Sequence, residues 1–357
     1  MGSTPLVSTI MSAYNAQPFV SEAIQSMLNQ TFTDFEFLII NDGSTDGTDA
    51  VLAKYEKLDR RIRILSQENK GLISSLNRGC RLARGKYIAR MDADDISLPA
   101  RLEKQVQHLE SHPEIGILGT WIGVIDEEGS PLRTWKPPAS PAVLMWTLCF
   151  RCGLAHPSVM MRRDIVASLG FYRPEALHVE DYDLWARASH VTRLANIREI
   201  LCLYRHWAGN VCSHHSKWQE KLITEMIMPS VITPLLGRQV SRSTLVALRQ
   251  LSMDSPLEDS AQTMKVATLI TDLHRAFLER KGLSRSEAKS VSRDAGLRLQ
   301  TLASFATRAS FWKGLILYLR AIRLNPRCLS AKRMARILGG LSSGRGGRRS
   351  ILWGKRP

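Results

Sequence analysis

Three aspartates lie within four consecutive residues, directly after a short apolar run. Residues 87–91 have the composition of a strand, and Asp92, Asp94 and Asp95 follow it. Carboxylates this close repel one another, and their burial is costly without a compensating positive charge. Mg²⁺ or Mn²⁺ provides that charge and completes its coordination shell with phosphate oxygens and water. The spacing predicts a site for a divalent cation and a diphosphate; the simpler alternative is that Asp94 or Asp95 caps the next helix.

Two other strand ends carry polar side chains suited to a nucleotide. Apolar residues 37–40 lead into Asp42, which is placed to accept hydrogen bonds from a nucleobase or a ribose. Asp46, four residues later, is equally well explained as a helix cap. Tyr14 follows the first apolar run and offers a face for base stacking, although a half-buried aromatic residue at a strand end is an equally good explanation.

The elements that must position these side chains alternate along the first 125 residues. The predicted strands span residues 6–13, 36–40, 62–65, 86–91 and 115–125, and the predicted helices span 19–28, 50–58, 72–82 and 98–109. This alternation predicts an α/β fold, with a Rossmann-like, mainly parallel sheet and helices on both faces. Ligands bind such sheets at the carboxyl ends of the strands, where the polar clusters fall.

Two common nucleotide sites are excluded by the residues after the first strand. A dinucleotide site needs a Gly-x-Gly-x-x-Gly turn there, and this chain has residues 11–18, Met-Ser-Ala-Tyr-Asn-Ala-Gln-Pro, without a glycine. The chain also lacks the Gly-x-x-x-x-Gly-Lys-Ser/Thr loop of the P-loop proteins. NAD-dependent and P-loop chemistry are therefore poor fits.

Four segments together resemble the nucleotide-sugar domain of family-2 glycosyltransferases. They are Val7–Asn15, Asn41–Asp46, Asn69–Leu72 and Met91–Asp95, and the resemblance extends over roughly residues 6–215. It implies a GT-A fold and inverting sugar transfer from a nucleotide-diphosphate sugar. The family usually has two aspartates where this chain has Asn41 and Asp42. The implied roles are base contacts for Ser12, Tyr14 and Asp42, donor binding for Lys70, a ribose contact for Asp92, metal ligation for Asp94 and a donor-sugar contact for Asp95.

An acidic pair later in the chain matches the family's catalytic pair. In an inverting transfer the acceptor hydroxyl loses its proton as it attacks, so a carboxylate must lie within hydrogen-bond reach of it. By the resemblance Asp181 is the general base, and Glu180 orients it or contacts the acceptor. The alternative is that Asp181 only caps the helix that follows. Before this pair, residues 156–162 are expected to be β-like.

The resemblance extends to a Tyr-Arg-x-His segment in which the family's histidine helps to close over the diphosphate or the metal. This chain has Trp207 at the expected position and His206 one place earlier. His206 is our candidate for a histidine metal ligand, with His214 and His215 as alternatives. The Gln-x-x-Arg-Trp signature of processive members is absent, so we expect one sugar to be transferred per encounter.

Composition indicates a globular, reduced protein. Of 357 residues, 44% are hydrophobic and 23% charged, and no apolar run reaches the length of a membrane span. Six cysteines are too few for a disulfide scaffold, which fits a cytoplasmic protein and argues against secretion. Cys149 and Cys152 form a single Cys-x-x-Cys pair, whereas structural zinc needs four ligands, so we expect both to be core residues.

The C-terminal region carries most of the net charge of +16. Residues 295–357 contain 14 of the 49 Lys and Arg residues and no Asp or Glu. Residues 311–324, after Ser310 and before Pro326, mix aromatic, leucine and basic side chains and predict a helix. This helix either packs on the core or lies on an anionic membrane surface; nucleic acid is not expected as a partner.

Together the residues and the resemblance predict a metal-dependent glycosyltransferase that uses Mn²⁺ or Mg²⁺. Its expected partners are a nucleotide-sugar donor, with UDP-sugars favoured, and a saccharide or lipid-linked acceptor in surface polysaccharide or glycolipid synthesis. We expect it at the cytoplasmic face of the inner membrane. The predicted organisation is a GT-A domain over 1–215, a helical region over 216–340 and a disordered basic tail over 341–357. The alternatives are a non-catalytic nucleotide-sugar-binding protein and a sugar nucleotidyltransferase.

Overall fold

The chain forms two compact units. The computed structural model describes residues 4–207, 216–253, 255–257, 259–280 and 282–329. Within these, the first unit comprises residues 4–144 and Cys152–Leu222, and the second comprises Met145–Arg151 and residues 223–329. The tail predicted to be disordered, residues 341–357, lies outside the described residues.

The first unit is built on one nine-stranded sheet. Its strands are β1 Val7–Ala13, β2 Phe35–Asp42, β3 Ile62–Gln67, β4 Tyr87–Asp92, β5 Ile96–Ser97, β6 Ile115–Ile125, β7 Pro131–Trp135, β8 Met160–Arg162 and β9 Arg193–Arg205. The order is β3-β2-β1-β4-β8-β6-β9-β5, and β7 pairs with β6. The helices that accompany these strands are α1 Val20–Leu28, α2 Thr48–Leu58, α3 Leu72–Leu82, α4 Arg101–Ser111, α5 Pro141–Leu148, α6 Arg163–Ser168, α7 Glu180–Ala188 and, after β9, α8 Ser216–Leu222. Residues 145–148 of α5 belong to the second unit.

The four strands that carry the predicted site are parallel, as expected. β1 lies between β2 and β4, and β2 also pairs with β3, all in parallel register. The rest of the sheet is mixed, because β8 runs antiparallel to both β4 and β6. The fold class is thus confirmed as α/β. Residues 156–162 are β-like only from Met160, since His156–Ser158 forms a 3₁₀ turn.

Alternation along the central strands explains why helices cover both faces of the sheet. Met11 and Phe37 point to one face, where they share a core with the buried side of α1. Ile10 and Ile40 point to the other face, where α3 packs so closely that a Cβ at Gly79 would lie 2.5 Å from the Ile10 side chain. Both faces are buried, as in other open α/β sheets.

The second unit is helical, which confirms the predicted helical C-terminal region. A π-helical turn over Ile223–Ile227 is followed by α9 Met228–Leu236, α10 Arg242–Ser252, α11 Ser260–Leu278, α12 Arg285–Ala309 and α13 Phe311–Leu324. Side chains of Ser241 and Asp259 cap α10 and α11, and Ser284 and Glu287 form a capping box at α12. No helix among the described residues has both the length and the apolar character that a membrane crossing requires.

Candidate active site

The three aspartates predicted to hold a cation do converge. Asp92 is the last residue of β4 and pairs in register with Ser12 at the end of β1. One carboxylate oxygen from each of Asp92, Asp94 and Asp95 lies within 4.8 Å of the others. Neither Asp94 nor Asp95 caps the next helix, because α4 begins after Ala100 without a side-chain cap. The helix-cap alternative is therefore wrong for these residues.

The environment of this aspartate cluster disfavours negative charge. Burial, and then the charge of Asp92, raise the pKa of Asp94 to about 6. Burial, and then the charges of Asp92 and Asp94, raise the pKa of Asp95 well above its usual value. Asp95 Oδ2 is buried without a hydrogen-bond partner. A buried, unpartnered oxygen beside two other carboxylates is a donor set that suits a hard divalent cation.

Arg205, at the end of β9, anchors this acidic loop from the opposite side. Its backbone amide donates to Asp95 Oδ1 at 2.9 Å, and its Nε donates to the carbonyl oxygen of Asp94 at 2.9 Å. The guanidinium also pairs with Glu22 and lies over the ring of Phe19. Because Arg205 is buried and bound on several sides, it fixes the positions of Asp94 and Asp95.

The residues after Arg205 differ in their relation to the cluster. Trp207 Nε1 donates to Asp94 Oδ2 at 2.8 Å. The His206 side chain is exposed, and its backbone amide donates to the Ile125 carbonyl. The metal-capable group found within the described part of the chain contains the three aspartates and not His206. Metal ligation by His206 stays a prediction, and His214 and His215 lie outside the described residues.

Asp42 organises the loop that follows β3. Its carboxylate is buried at the end of β2 and accepts from the amides of Lys70 at 3.0 Å and Gly71 at 2.8 Å, and from Gln67 Nε2 at 2.6 Å. Gly43 follows with φ +72°, and a Cβ there would lie 2.6 Å from the Asn69 amide nitrogen. Three donors already hold Asp42, so its contact with a base, like that of Lys70, stays a prediction.

The first strand ends in a loop that is tied to the second. The Asn15 side-chain oxygen accepts from the amide of Thr45 at 2.8 Å, and the backbone amide of Asn15 donates to Ser44 Oγ. Asp46 accepts from the amide of Thr48, the first residue of α2, although Gly47 and not Asp46 is the N-cap of this helix. Tyr14 projects from this loop with 50% of its surface exposed, a position open to stacking.

Glu180 and Asp181 form the first turn of α7. Burial raises the pKa of Asp181, while the Tyr182 amide, the charge of Arg90 and the Cys152 thiol each hold it down. Burial and the charge of Asp181 raise the pKa of Glu180 to about 7, and Glu180 Oε2 is buried without a partner. The residue before the helix is Val179, so Asp181 is not its N-cap.

A buried arginine links the two acidic groups. Arg90 of β4 pairs with Asp92, and its Nε is buried without a hydrogen-bond partner. Its positive charge opposes, without cancelling, the rise in pKa that burial causes at four other carboxyl groups, those of Asp94, Asp95, Glu180 and Asp181. The charge of Arg90 therefore acts on both the aspartate cluster and the acidic pair.

Sequence reasoning missed several of these residues. Arg90, Arg205, Gln67 and Cys152 contact or influence the predicted site residues from other parts of the chain. Arg90 lies between apolar residues of β4, and Arg205 lies at the end of β9. In the sequence, both are charged residues within apolar runs. A charge in such a strand needs a partner, and that was the available signal. Gln67 and Cys152 carried none.

Comparison with known proteins shows the family to which the chain belongs. The profile of the family named Glycosyl transferase family 2 matches residues 8–170. An uncharacterized glycosyltransferase of Haemophilus influenzae is 38% identical over 231 residues, which cover 62% of this chain and 72% of the relative. The chain therefore belongs to glycosyltransferase family 2. It is a glycosyltransferase, and the non-catalytic and nucleotidyltransferase alternatives lose their support.

Two relatives belong to named polysaccharide systems. The O-antigen biosynthesis glycosyltransferase WbnJ of Escherichia coli is 35% identical over 204 residues, covering 56% of this chain and 79% of the relative. The amylovoran biosynthesis glycosyltransferase AmsE of Erwinia amylovora is 31% identical over 204 residues, covering 56% and 76%. Among solved structures, S. aureus TarS 1-349 in complex with UDP-GlcNAc has a TM-score of 0.54 at 14% identity, covering 93% of this chain and 92% of that one. This likeness confirms the GT-A fold.

Proposed function

We propose that this protein transfers a sugar from a nucleotide-diphosphate donor, with UDP-sugars favoured, to a hydroxyl group of a saccharide or lipid-linked acceptor, with inversion at the anomeric carbon. The observation that carries the proposal is the convergence of Asp92, Asp94 and Asp95, whose carboxylate oxygens lie within 4.8 Å of one another at the end of β4. The charge of Arg90 acts on this acidic group and on a second one. One group, Asp92, Asp94 and Asp95, suits a metal and a diphosphate; the other, Glu180 and Asp181, suits proton transfer from an acceptor.

The aspartate cluster fits Mn²⁺ or Mg²⁺. Its three carboxylates are close together, and the unpartnered Asp95 Oδ2 has no hydrogen bond to give up. Asp94 is the proposed metal ligand, with His206 as a second candidate. When bound, the cation neutralises charge that builds up on the departing diphosphate. Asp92 then contacts the ribose and Asp95 the donor sugar, while Arg205 holds the loop still.

The nucleotide is proposed to lie along the ends of β1 and β2. Tyr14 is half exposed and stacks on the base, while Ser12 and Asp42 contact it from the strand ends. Lys70 follows the loop that Asp42 holds, and its exposed ammonium group is positioned to approach the diphosphate. Asp42 has a further lone pair for the base after accepting from three donors of the chain.

The acidic pair is proposed to act on the acceptor. Burial raises the pKa of Asp181 and so makes it a stronger base, while the Tyr182 amide, the charge of Arg90 and the Cys152 thiol favour its carboxylate form. In the proposed step this carboxylate accepts the proton of the attacking hydroxyl as the hydroxyl oxygen bonds to the anomeric carbon. Glu180 has a pKa of about 7, so near neutral pH a large share of it carries a proton and can donate to the acceptor or orient Asp181. The leaving diphosphate departs on the opposite side, which gives inversion.

The cellular setting is proposed from the relatives and from α13. WbnJ and AmsE are named for O-antigen and amylovoran biosynthesis, which supports a role in surface polysaccharide or glycolipid assembly. We place the enzyme in the cytoplasm, at the inner face of the membrane, where lipid-linked acceptors occur. No nucleic-acid partner is proposed.

The outer face of α13 supports membrane contact. Leu317, Tyr318 and Ala321 are buried. One side of the helix therefore packs within its own unit, which agrees with the prediction that the helix packs on the core. Trp312, Ile316 and Leu319 are 71%, 46% and 57% exposed, and their spacing puts them on one face of the helix. The exposed charges beside them are all positive, namely Lys313, Arg320 and Arg323. An apolar stripe flanked by cations complements the surface of an anionic bilayer.

A donor panel tests the proposed reaction. UDP-GlcNAc, the ligand in the TarS structure, and other UDP-, GDP- and TDP-sugars are incubated with the protein and Mn²⁺ or EDTA. We expect metal-dependent release of a nucleoside diphosphate from one class of donor, and NMR of a transfer product should show the inverted anomer. Asp181→Asn should keep donor binding and lose transfer by about 10²-fold or more. A retained anomeric configuration, or unchanged transfer by Asp181→Asn, would contradict the mechanism.

A further inference from the structure

The segment after α5 places a thiol against the proposed base. Cys152 Sγ lies 3.7 Å from Asp181 Oδ2 and 3.3 Å from the carbonyl oxygen of Leu154. Of the five cysteines that the structure describes, Cys80, Cys149, Cys202 and Cys328 are buried, whereas Cys152 is only partly buried. The expectation that Cys152 is simply a core residue therefore omits its most specific contact.

The thiol acts as a donor in this contact. Burial, followed by the negative charge of Asp181, raises the pKa of Cys152 well above its usual value. Cys152 therefore keeps its proton at neutral pH, and a carboxylate oxygen is the stronger of the two acceptors within reach of it.

The two oxygens of Asp181 are held by different donors. The amide of Tyr182 donates to Oδ1 at 2.6 Å, and the Cys152 thiol reaches Oδ2 from a separate part of the chain. The charged and titratable groups around this carboxylate are Arg90 on β4, Glu180 beside it on α7, and Tyr172, whose phenol accepts or donates a hydrogen bond with His156. Among the described residues, the Cys152 thiol is the one hydrogen-bond donor to Oδ2, and it therefore limits the rotation of the carboxylate.

We propose that Cys152 is a positioning residue for the base: its S–H group donates to Asp181 Oδ2 and holds the carboxylate at the angle from which it meets the acceptor hydroxyl. This inference rests on the proposed role of Asp181. It assigns Cys152 no contact with the sugar, the nucleotide or the metal. A donor to the charged form also keeps Asp181 ionised at lower pH.

Three variants test the proposal through the pH dependence of kcat/KM. Cys152→Ala removes the donor, so the acid limb of the profile should move to higher pH by about 0.5–1 unit, and kcat should fall while the binding of UDP with Mn²⁺ stays unchanged. Cys152→Ser supplies a hydroxyl donor and should return the limb to within about 0.3 unit of the wild-type position. Cys149→Ala, three residues away, removes a buried thiol whose hydrogen bond goes to the Met145 carbonyl, and should leave the acid limb in place.

The outcomes separate this proposal from the proposed function. If Asp181→Asn abolishes transfer but Cys152→Ala has a wild-type pH profile, the positioning role is wrong and the base stands. If Cys152→Ala and Cys152→Ser lose activity to the same extent and the acid limb of the kcat/KM profile does not shift, Cys152 has a packing role and the proposal is also overturned. If Asp181→Asn itself transfers normally, the proposed base is wrong and the inference about Cys152 falls with it. Thermal melting of each variant identifies any that fails to fold, and Cys152→Ser, which adds no volume, then decides the question.

Discussion

The indole of Trp207 donates a hydrogen bond to Asp94, with 2.8 Å between Nε1 and Oδ2. An indole nitrogen is a donor only, so Trp207 orients the carboxylate of the proposed metal ligand and cannot itself ligate a metal. Trp207 occupies the position at which the family resemblance predicts a histidine. The ring also packs edge-to-face on Phe19, 5.2 Å between centroids. The departure at residue 207 thus replaces an expected ligand with a side chain that holds the proposed ligand, Asp94.

The first prediction concerns this contact. Trp207→Phe keeps an aromatic ring beside Phe19 but removes the donor to Asp94, so the affinity for UDP with Mn²⁺ should fall by about 10-fold, as is usual when a group that orients a metal ligand is lost. Isothermal titration calorimetry measures the change. Trp121→Phe is the matched control, since that indole donates to the Pro137 carbonyl elsewhere. Equal affinities for the two variants would show that the hydrogen bond is unimportant.

Asp42 gives a prediction about stability. Asp42→Asn replaces one accepting oxygen with an NH₂ group that faces the backbone amide of either Lys70 or Gly71, so a buried donor loses its partner. We expect a loss of about 2 kcal/mol in the free energy of unfolding, within the range for hydrogen bonds to charged groups. Urea unfolding measures it, with the exposed Asp164→Asn as a control that should change little. A stable Asp42→Asn protein would mean that the loop is held by other contacts.

Glu180 predicts a pH-dependent stability. Burial and the charge of Asp181 raise its pKa to about 7 in the folded protein, whereas an unfolded chain titrates near 4.3, so the folded state binds the proton more tightly. The contribution of Glu180 to the free energy of unfolding therefore falls as the pH rises from about 4.5 to about 7. Glu180→Gln removes this titration, and the variant should gain about 1–3 kcal/mol relative to the wild type between pH 5 and pH 8.

Denaturant unfolding at pH 5 and pH 8 measures this gain. Glu175→Gln, an exposed glutamate of the same segment, is the control and should follow the wild type at both pH values. If the difference between Glu180→Gln and the wild type is the same at pH 5 and pH 8, Glu180 titrates normally and the account of its burial is wrong.

The outer face of α13 predicts binding to anionic lipid. The full chain should float with vesicles of phosphatidylcholine and phosphatidylglycerol, bind less at high salt, and bind little to pure phosphatidylcholine. The double variant Ile316→Glu, Leu319→Glu puts carboxylates in the exposed stripe and should lose most of this binding. Leu58→Glu, at an exposed leucine of α2, is the matched control and should bind normally. Normal flotation of the double variant would place the lipid contact elsewhere.

The strand ends were predictable because they depend on short-range patterns. Apolar runs that stop at Asp42 and Asp92 define both a strand and its carboxyl end, and parallel pairing then brings these ends to one edge. The helix over Phe311–Leu324 was equally visible from its flanking Ser310 and Pro326. Such features need only a local period and a terminating residue.

The supporting contacts were not predictable, since they join residues far apart in the chain. Arg205 and Asp95 are 110 residues apart in the sequence, and Cys152 and Asp181 are 29 residues apart. No sequence pattern indicates that either pair is in contact. β8 is three residues long, too short for a period of two to reveal that it runs antiparallel to β4. Both kinds of feature are fixed by tertiary packing.

The binding of UDP with and without Mn²⁺ tests the central claim most directly, which is that Asp92, Asp94 and Asp95 join a divalent cation to the donor diphosphate. Calorimetry of the wild type should show UDP binding that needs Mn²⁺ and disappears with EDTA, and Asp94→Asn should weaken it by more than about tenfold. UDP binding of equal strength with EDTA, or in Asp94→Asn, would contradict the account.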